Sequence, residues 1–410
     1  MEYIRIFLTD LYGQTLVKAL DFVLMFYPVW LPIALFAAFW HVWLTYIRAR
    51  TIANQKFILL EIKLPKDIFK PPSAMELVFT QLWQTSVPYF FQTWVQGKIR
   101  PWFSLELVSI EGEVKFFIWT DTKYKDVVEA SLYSQYPGIE IYEASDYTTS
   151  VHHDPVNFPF WASYFKLSEP DAYPIKTYID YKLDENPKEE FKVDPMTSML
   201  EYLGSMKKGE QAWVQILITA HRKETLKDGV FFVKPDWKDG IKKELQKIYD
   251  SLKLPGTTFG RFPTKMETEK LEALQRSMSK LPFACAIRGF YIATKDTFDV
   301  VGITGLIGSL RQYSSMTLNR FGVGWYTDTD QAPWLDFHRM RRNRMEKQML
   351  EAYKRRSIFF APYRHFHQKP FILTTEELAT IFHLPGAVAT TPTLARIPSK
   401  KGQPPPNLPV

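Results

Sequence analysis

The strongest pattern along the chain is the apolar run from Phe22 to Ile47, FVLMFYPVWLPIALFAAFWHVWLTYI, which carries no Asp, Glu, Lys or Arg. As a helix rising about 1.5 Å per residue it covers about 39 Å, enough to cross a hydrocarbon core of about 30 Å with tilt. Acids precede the run and no small-residue cleavage site follows it, unlike a secretory signal. Trp40, Trp43 and Tyr46 gather toward its C-terminal end, as an aromatic belt does. Pro28 and Pro32 fall in the first half, where a membrane span tolerates them. Arg48, Arg50 and Lys56 then appear with no acid before Glu61, whereas Asp10 and Asp21 offset Arg5 and Lys18 on the other side. The positive-inside rule therefore predicts a single pass through the cytoplasmic membrane, residues 1–21 outside and the C-terminal region in the cytoplasm.

Beyond the span the period changes to two. Leu60, Ile62 and Leu64 share one face and Glu61 and Lys63 the other, which predicts a strand. An apolar helical stretch, AMELVFTQLWQ, follows. Phe103, Leu105 and Leu107 then alternate with Ser104 and Glu106, and the turn Glu111-Gly112-Glu113 leads into Val114, Phe116 and Ile118. These read as a hairpin. Asp121 or Thr122 is placed to cap a helix carrying Tyr124, Val128 and Leu132, and Ile139 and Ile141 open another strand after Pro137-Gly138. The order β-α-β-β-α-β is the ferredoxin-like arrangement.

The pattern recurs. Ile175, Thr177, Ile179 and Tyr181 alternate with charged Lys176 and Asp180, Asp194-Pro195 opens a helix, and Val214, Ile216 and Ile218 mark a strand. FACAIRGFYIA supplies another, Asp296 caps a helix to about Gln312, and Phe321 to Trp325 supplies the last. Two helical patches, KDGIKKELQKIYDSL and TEKLEALQRSMSK, fill an insertion at 221–281. The predicted class is α+β: an N-terminal transmembrane helix (22–47), then two tandem ferredoxin-like (βαββαβ) units at 55–150 and 151–330, the second with a helical insertion.

From 331 the character shifts. His338 to Arg356 predicts a basic helix with Arg339, Arg341, Arg342, Arg344, Lys347, Lys354, Arg355 and Arg356 against only Glu346 and Glu351. Three readings stay open for it: a solvated face beside lipid or an acidic neighbour, phosphate contact with nucleic acid, or docking to a protein. A segment FILTTEELATIFHLPG follows, closing the motor-proximal region 331–386, and residues 387–410 form a Pro-rich tail suited to an extended linker or docking strand. The net charge of +7 permits anionic partners without requiring them.

Chemistry has no visible foothold. The nearest phosphate-loop match, Gly204-Ser205-Met206-Lys207-Lys208-Gly209, continues with Glu210 where a phosphate-binding Lys is needed, so it reads as a helix end and turn. Gly302, Gly305 and Gly308 lie within a helical stretch and predict close helix packing. His152-His153-Asp154 and the trio His338, His365 and His367 lack cysteine partners and i+4 spacing, so no metal or other cofactor is expected. The single cysteine, Cys285, sits in an apolar run as a small core residue. We expect no catalytic residues and no enzyme activity.

Several segments resemble the region that precedes the motor in type IV secretion and conjugative DNA-transfer ATPases, particularly those of small-genome candidate-phylum bacteria. They are FILLEIKLP from Phe57, GKIRPWFSLELVSIEGEVKFFIWT from Gly97, YPGIEIYEA from Tyr136, FILTTEELATIFHLPG from Phe371 and RIPSKKGQPPPNLP near the end. In the longer relatives, the segment like TTEELATIFHLPG and the PPPNLP tail lead directly into a RecA-type motor, whereas this sequence stops at Val410. The resemblance implies a noncatalytic membrane-anchored subunit that recruits or scaffolds a separately encoded hexameric motor ATPase. Its partners would be the membrane, that motor, DNA and a second copy of itself. Leu378, Ile381 and Phe382 form an apolar stripe at i+3 and i+4 spacing, which either docks a partner or packs on the second unit; Pro404, Pro405 and Pro406 would continue a docked contact. The competing reading is a membrane-tethered nucleic-acid-binding protein using helix 338–356, with Arg339, Arg341, Arg342, Arg344, Lys347, Arg355 and Arg356 contacting phosphate or lipid.

Overall fold

A computed structural model describes residues 25–65, 70–85, 89–185, 193–225, 236–253, 261–328, 336, 339–386 and 396–397, with isolated residues at 13, 18 and 22. Its first long element, α1 (Tyr27–Ala53), is exposed along most of its length and is apolar enough to cross a membrane. It starts later than the apolar run and continues past Ile47. The following elements are β1 (Phe57–Pro65), α2 (Pro72–Leu82), the short α3 (Phe90–Trp94), β2 (Trp102–Ile110), β3 (Glu113–Asp121), α4 (Lys125–Gln135) and β4 (Glu140–Ala144). Glu111 and Gly112 both take positive φ, 53° and 90°, the backbone that a tight two-residue hairpin turn requires. A second run comprises β5 (Phe160–Leu167), α5 (Pro195–Gly204), β6 (Glu210–Ala220), α6 (Trp237–Leu252), α7 (Lys265–Ser279), β7 (Pro282–Ala293), α8 (Val300–Ser309) and β8 (Phe321–Tyr326). Then come α9 (Met340–Lys354), β9 (Phe371–Thr374), α10 (Thr375–Ile381) and the two-residue β10 (Arg396–Ile397).

These strands make one largely antiparallel sheet in the order β4-β1-β3-β2-β6-β7-β5-β8. The order reads alike from both ends toward the middle, where β2 and β6 pair antiparallel from Trp102 against Thr219 to Ile110 against Gln211. β9 lies beside the start of β7, and β10 runs parallel to the end of β1. The protein is thus a mixed α+β fold with an apolar N-terminal helix and a large sheet.

One sheet face carries Leu60, Ile62, Phe103, Leu105, Phe116, Val214, Ile216 and Ile287 beneath α2, α4, α5, α8 and α10. α8 packs closely because two of its glycines leave room: a Cβ on Gly302 would lie 2.6 Å from the Tyr291 ring, and one on Gly305 2.5 Å from Tyr202. Cys285 is buried in this layer. The opposite face is covered as well. Trp102, Phe117, Trp119, Trp213 and Phe290 meet Met349, Leu350 and Tyr353 of α9 and Ile358 beyond it. The insertion helices α6 and α7 pair over a small core of Trp237, Ile241, Leu245 and Leu274.

One strand expectation fails. Residues 175–177 have no regular structure and 178–181 form a turn, and the first strand of the second run is β5 instead. The reason lies in the backbone donors. Ile175 N–H donates to Glu377, Thr177 N–H to Asp180 and Tyr178 N–H to Thr380 Oγ1, so side chains rather than a neighbouring strand satisfy them. The alternation there records packing against α10, not a ladder.

The covered second face holds a charged centre. Glu106 of β2 is fully buried and opposes Gln215 of β6, which opposes Arg288 of β7. The Glu106 carboxylate accepts from Ser104 Oγ at 2.6 Å, Gln215 Nε2 at 2.9 Å, Tyr147 OH at 2.9 Å and Arg356 Nε at 3.0 Å. Burial pushes its carboxyl upward, but the Arg356 charge and these hydrogen bonds outweigh that and hold it below the usual range. Arg356, 1% exposed, also pairs with Asp146. Arg288 donates to the Ala352 carbonyl at 2.8 Å and the Ser357 carbonyl at 2.5 Å. Removing one partner of such a buried pair strands the other charge. Arg356→Ala is therefore expected to lower stability by about 3–5 kcal/mol, and Glu106→Gln/Arg356→Met to recover most of that loss. Urea unfolding of the detergent-solubilised protein measures both, and a single variant as stable as the wild type would refute the assignment.

Candidate functional site

The predicted basic helix exists as α9, and its burial divides the seven cations in two. Arg339 sits at its N-cap in the left-handed region with φ 54°, and the Asp336 carboxylate caps the helix by accepting from Arg341 N–H at 2.7 Å and Arg342 N–H at 3.0 Å. Arg339, Arg341, Arg344, Lys347 and Arg355 are exposed on the outer face. Arg342 is half-buried, with Nε 2.9 Å from Glu346, and also pairs with Asp328. Arg356 is not available to a ligand at all, because it belongs to the buried centre with Glu106 and Asp146. The C-terminal end of α9 and the segment after it, through Pro362, line a cavity of about 430 Å³ with Ile52, Ala53 and Gln55 of α1 and its exit. Arg341 lies 14 residues, about 21 Å of helix, from Arg355, so the exposed cations form a strip leading away from the membrane helix.

The apolar stripe of the second candidate surface is not exposed. Leu378, Ile381 and Phe382 are buried in the main core, Phe382 edge-on to Phe116 of β3. The first turn of α10 is closed by reciprocal capping between Thr374 and Glu377, with Glu377 Oε2 accepting from Thr374 N–H at 2.8 Å. Glu376 lies 3.1 Å from Arg276 of α7 and accepts from Thr177 at 2.7 Å. Glu76 of α2 joins through Lys280 at 2.7 Å and Thr375 Oγ1 at 3.1 Å. Thr375 therefore ties α10 to α2, and Glu376 ties it to the insertion. Pro404, Pro405 and Pro406 lie outside the described residues.

His383 ends this segment with both ring nitrogens facing acceptors: Nδ1 is 2.9 Å from the Ala379 carbonyl and Nε2 is 3.0 Å from Asp194. A carbonyl and a carboxylate can only accept, so both nitrogens donate and the ring is cationic. Burial works against the charge, but Asp194 outweighs it and raises the His383 pKa. Of the predicted histidine groups, His153 faces Glu346 at 3.2 Å and His367 stacks on Trp325, while His338 lies outside the described residues. Among the described residues no His, Cys, Asp and Glu side chains gather into a metal-holding group. Gly204 ends α5, and Gly209 takes φ 86° in the turn into β6, where Glu210 accepts from Lys207 N–H at 2.8 Å.

Sequence reasoning missed the polar centre, although Arg288 inside FACAIRGFYIA was its signal. It also missed the aromatic patch at Tyr89, Phe90 and Phe91, all exposed beside α1.

The chain belongs to the family described as Domain of unknown function (DUF8128), whose profile matches residues 58–396. No curated protein matches it.

The α10 segment predicts a pH dependence. Burial pushes the Glu377 carboxyl up to about 7 against its hydrogen bonds from Thr374 and Ile175. A folded pKa above the unfolded one binds the proton more tightly in the folded state, so this contribution is complete below about pH 4.5 and is lost as pH rises through about 7. His383 acts in the same direction, its stabilisation present below the unfolded histidine pKa and lost as pH rises through its raised folded value. Asp194, held low mainly by His383 against the effect of burial, adds stability above the unfolded carboxylate range and loses it only as pH falls through its own depressed pKa. Urea unfolding is expected to show stability declining from about pH 5 to pH 8, by up to about 3 kcal/mol from Glu377. Glu377→Gln should flatten that decline; an unchanged slope in the variant would refute the assignment.

Proposed function

We propose that this member of the family is a noncatalytic, membrane-anchored scaffold on the cytoplasmic side of the membrane. In this reading it serves a type IV secretion-like or conjugative DNA-transfer machine by holding a hexameric motor ATPase near the membrane. The observation that carries the proposal is the junction between α1 and the sheet. Trp43 Nε1 donates to the Trp94 carbonyl at 3.1 Å and Thr51 Oγ1 to the Gln96 carbonyl at 2.8 Å. Gly97, at φ 65°, sits so close that a Cβ would lie 2.7 Å from the Ile47 carbonyl. An anchor on a loose linker needs no such fit; a platform with a fixed attitude to the bilayer does.

The strand orders β4-β1-β3-β2 and β8-β5-β7-β6 support reading the fold as two ferredoxin-like units joined edge to edge. The charges at Arg48, Arg50 and Lys56 support a cytoplasmic C-terminal region. With Leu378, Ile381 and Phe382 in the core, the partner contact falls to the tail at 387–410, whose proline content lowers the entropy lost on docking.

The alternative is a nucleic-acid contact along α9, favoured by the five cations that remain exposed, Arg339, Arg341, Arg344, Lys347 and Arg355. It predicts DNA binding that weakens steeply with salt and is abolished by Arg341→Glu/Arg344→Glu. The scaffold reading predicts that deleting residues 387–410 lowers recovery of the motor ATPase in a pull-down at least about tenfold, equivalent to about 1.4 kcal/mol, with the anchored fold intact. It also predicts that protease outside intact cells leaves residues 60–410 uncut. Full motor recovery by the truncated protein, or digestion from outside, would overturn it.

A further inference from the structure

Around the junction, two features lie at one level of the molecule. The segment from Tyr89 to Val95 exposes aromatic and aliphatic side chains to solvent, Tyr89 at 80% and Phe91 at 60%, although Trp94 beside them is buried against Leu44 and Ile47 of α1. Exposed aromatics packed beside an apolar span sit where a bilayer interface would be. Directly after them, Arg48, Lys98, Arg100, Arg364 and Lys369 line a cavity of about 340 Å³ with a single carboxylate, Glu224. Glu224 is engaged by Arg100 at 3.4 Å, so among the described residues Lys98, Arg364 and Lys369 leave the cavity with a positive excess. The Thr93 hydroxyl also lines it, buried and without a hydrogen-bond partner among the described residues. Arg48 is the first charge after the apolar run, which places the cavity at headgroup depth.

We infer that this cavity binds the phosphate-bearing headgroup of an anionic phospholipid while Tyr89, Phe90 and Phe91 enter the adjoining interface. Lys98 and Arg48 approach from the membrane side and Arg364 and Lys369 from the loop before β9, and the Thr93 hydroxyl supplies a neutral donor. The site rests on the membrane-spanning reading of α1. It goes beyond that reading by selecting the lipid: zwitterionic headgroups bring their own cation to a cavity already rich in them, whereas anionic headgroups do not.

Native mass spectrometry of the full chain released from nanodiscs of mixed zwitterionic and anionic phospholipid reads the lipid retained. The wild type should retain anionic lipid above its bulk share. Arg364→Gln/Lys369→Gln removes two exposed cations and should lower that enrichment at least about tenfold, at about fivefold for each. Arg341→Gln/Arg344→Gln takes the same charge from α9 and should leave it within about twofold. No enrichment, or equal loss in both variants, overturns the inference. Inorganic phosphate titrated into the detergent-solubilised protein separates a free anion from a lipid: tight binding lost in Arg364→Gln/Lys369→Gln, without lipid enrichment, reassigns the cavity and overturns the proposal. A chain that does not enter nanodiscs sinks the membrane reading too, whereas entry without enrichment sinks this inference alone.

Discussion

The buried charge of Glu106 is the constraint from which the arrangement of the second sheet face follows. A carboxylate at 0% exposure between β2 and β6 needs a cation and a full set of donors, and no neighbouring strand residue supplies the cation. Arg356 does, from 250 residues along the chain. To deliver it, the chain must bring α9 across the sheet and turn at Ser357, where Arg288 donates to the Ala352 and Ser357 carbonyls. Tyr147 and Asp146, from the loop after β4, complete the shell. One ionic centre thereby ties the seam between the two halves to the helix that covers it. A hydrophobic centre of equal volume is often at least as stable; the ionic one links the segment that docks there to Glu106 through both Arg356 Nε and Arg356 Nη2.

That docking determines what α9 can offer a partner. Its inner face is committed to Trp213, Phe290 and the polar centre, so only its outer cations are available, and they run from the C-terminal end beside the exit of α1 outward. The first sheet face is committed in the same way by α10. Because Glu376 holds that helix to α7 and to Thr177, Glu377 holds it to Ile175, and Thr375 bonds Glu76 of α2, the segment most suggestive of a motor junction is internal packing.

Much of the architecture was legible because local signals agreed with the tertiary ones. The Glu111-Gly112 turn, the Asp194-Pro195 cap, the strands at 210–220 and 282–293 and the paired insertion helices stand where periodicity and capping put them. The cap expected at Asp296 is Asp299, three residues later, which accepts from Val301 N–H; the other failures share one cause. Alternation reports which residues are buried, not what buries them, so 175–181 imitated a strand while packing on α10. Likewise Ser104 and Glu106 alternate with apolar residues, yet their face is roofed by a helix more than two hundred residues distant. The signal for two-sided burial was present in runs such as FFIWT and FACAIRGFYIA, where apolar residues fall on both parities. The polar centre was harder to see, because its members are individually ordinary and only the fold makes them neighbours.

The seam between β2 and β6 gives this arrangement mechanical consequence. Each half presents the edge strand of its own four-stranded order to the other, and Gly97, packed against Ile47 of α1, is separated from β2 by four residues. The apolar helix α1 is thus coupled, over a few residues of constrained backbone, to the strand that carries Glu106 and forms the seam. A tilt of α1 must either break the Trp43 and Thr51 hydrogen bonds or be passed to β2, and β2 is held in register by nine paired residues and by the Arg356 pair. The sheet resists shear along such a ladder far better than a linker resists bending. In the anchored reading proposed above, the geometry therefore favours rigid transmission, in which the attitude of α1 sets the attitude of the sheet and of α9.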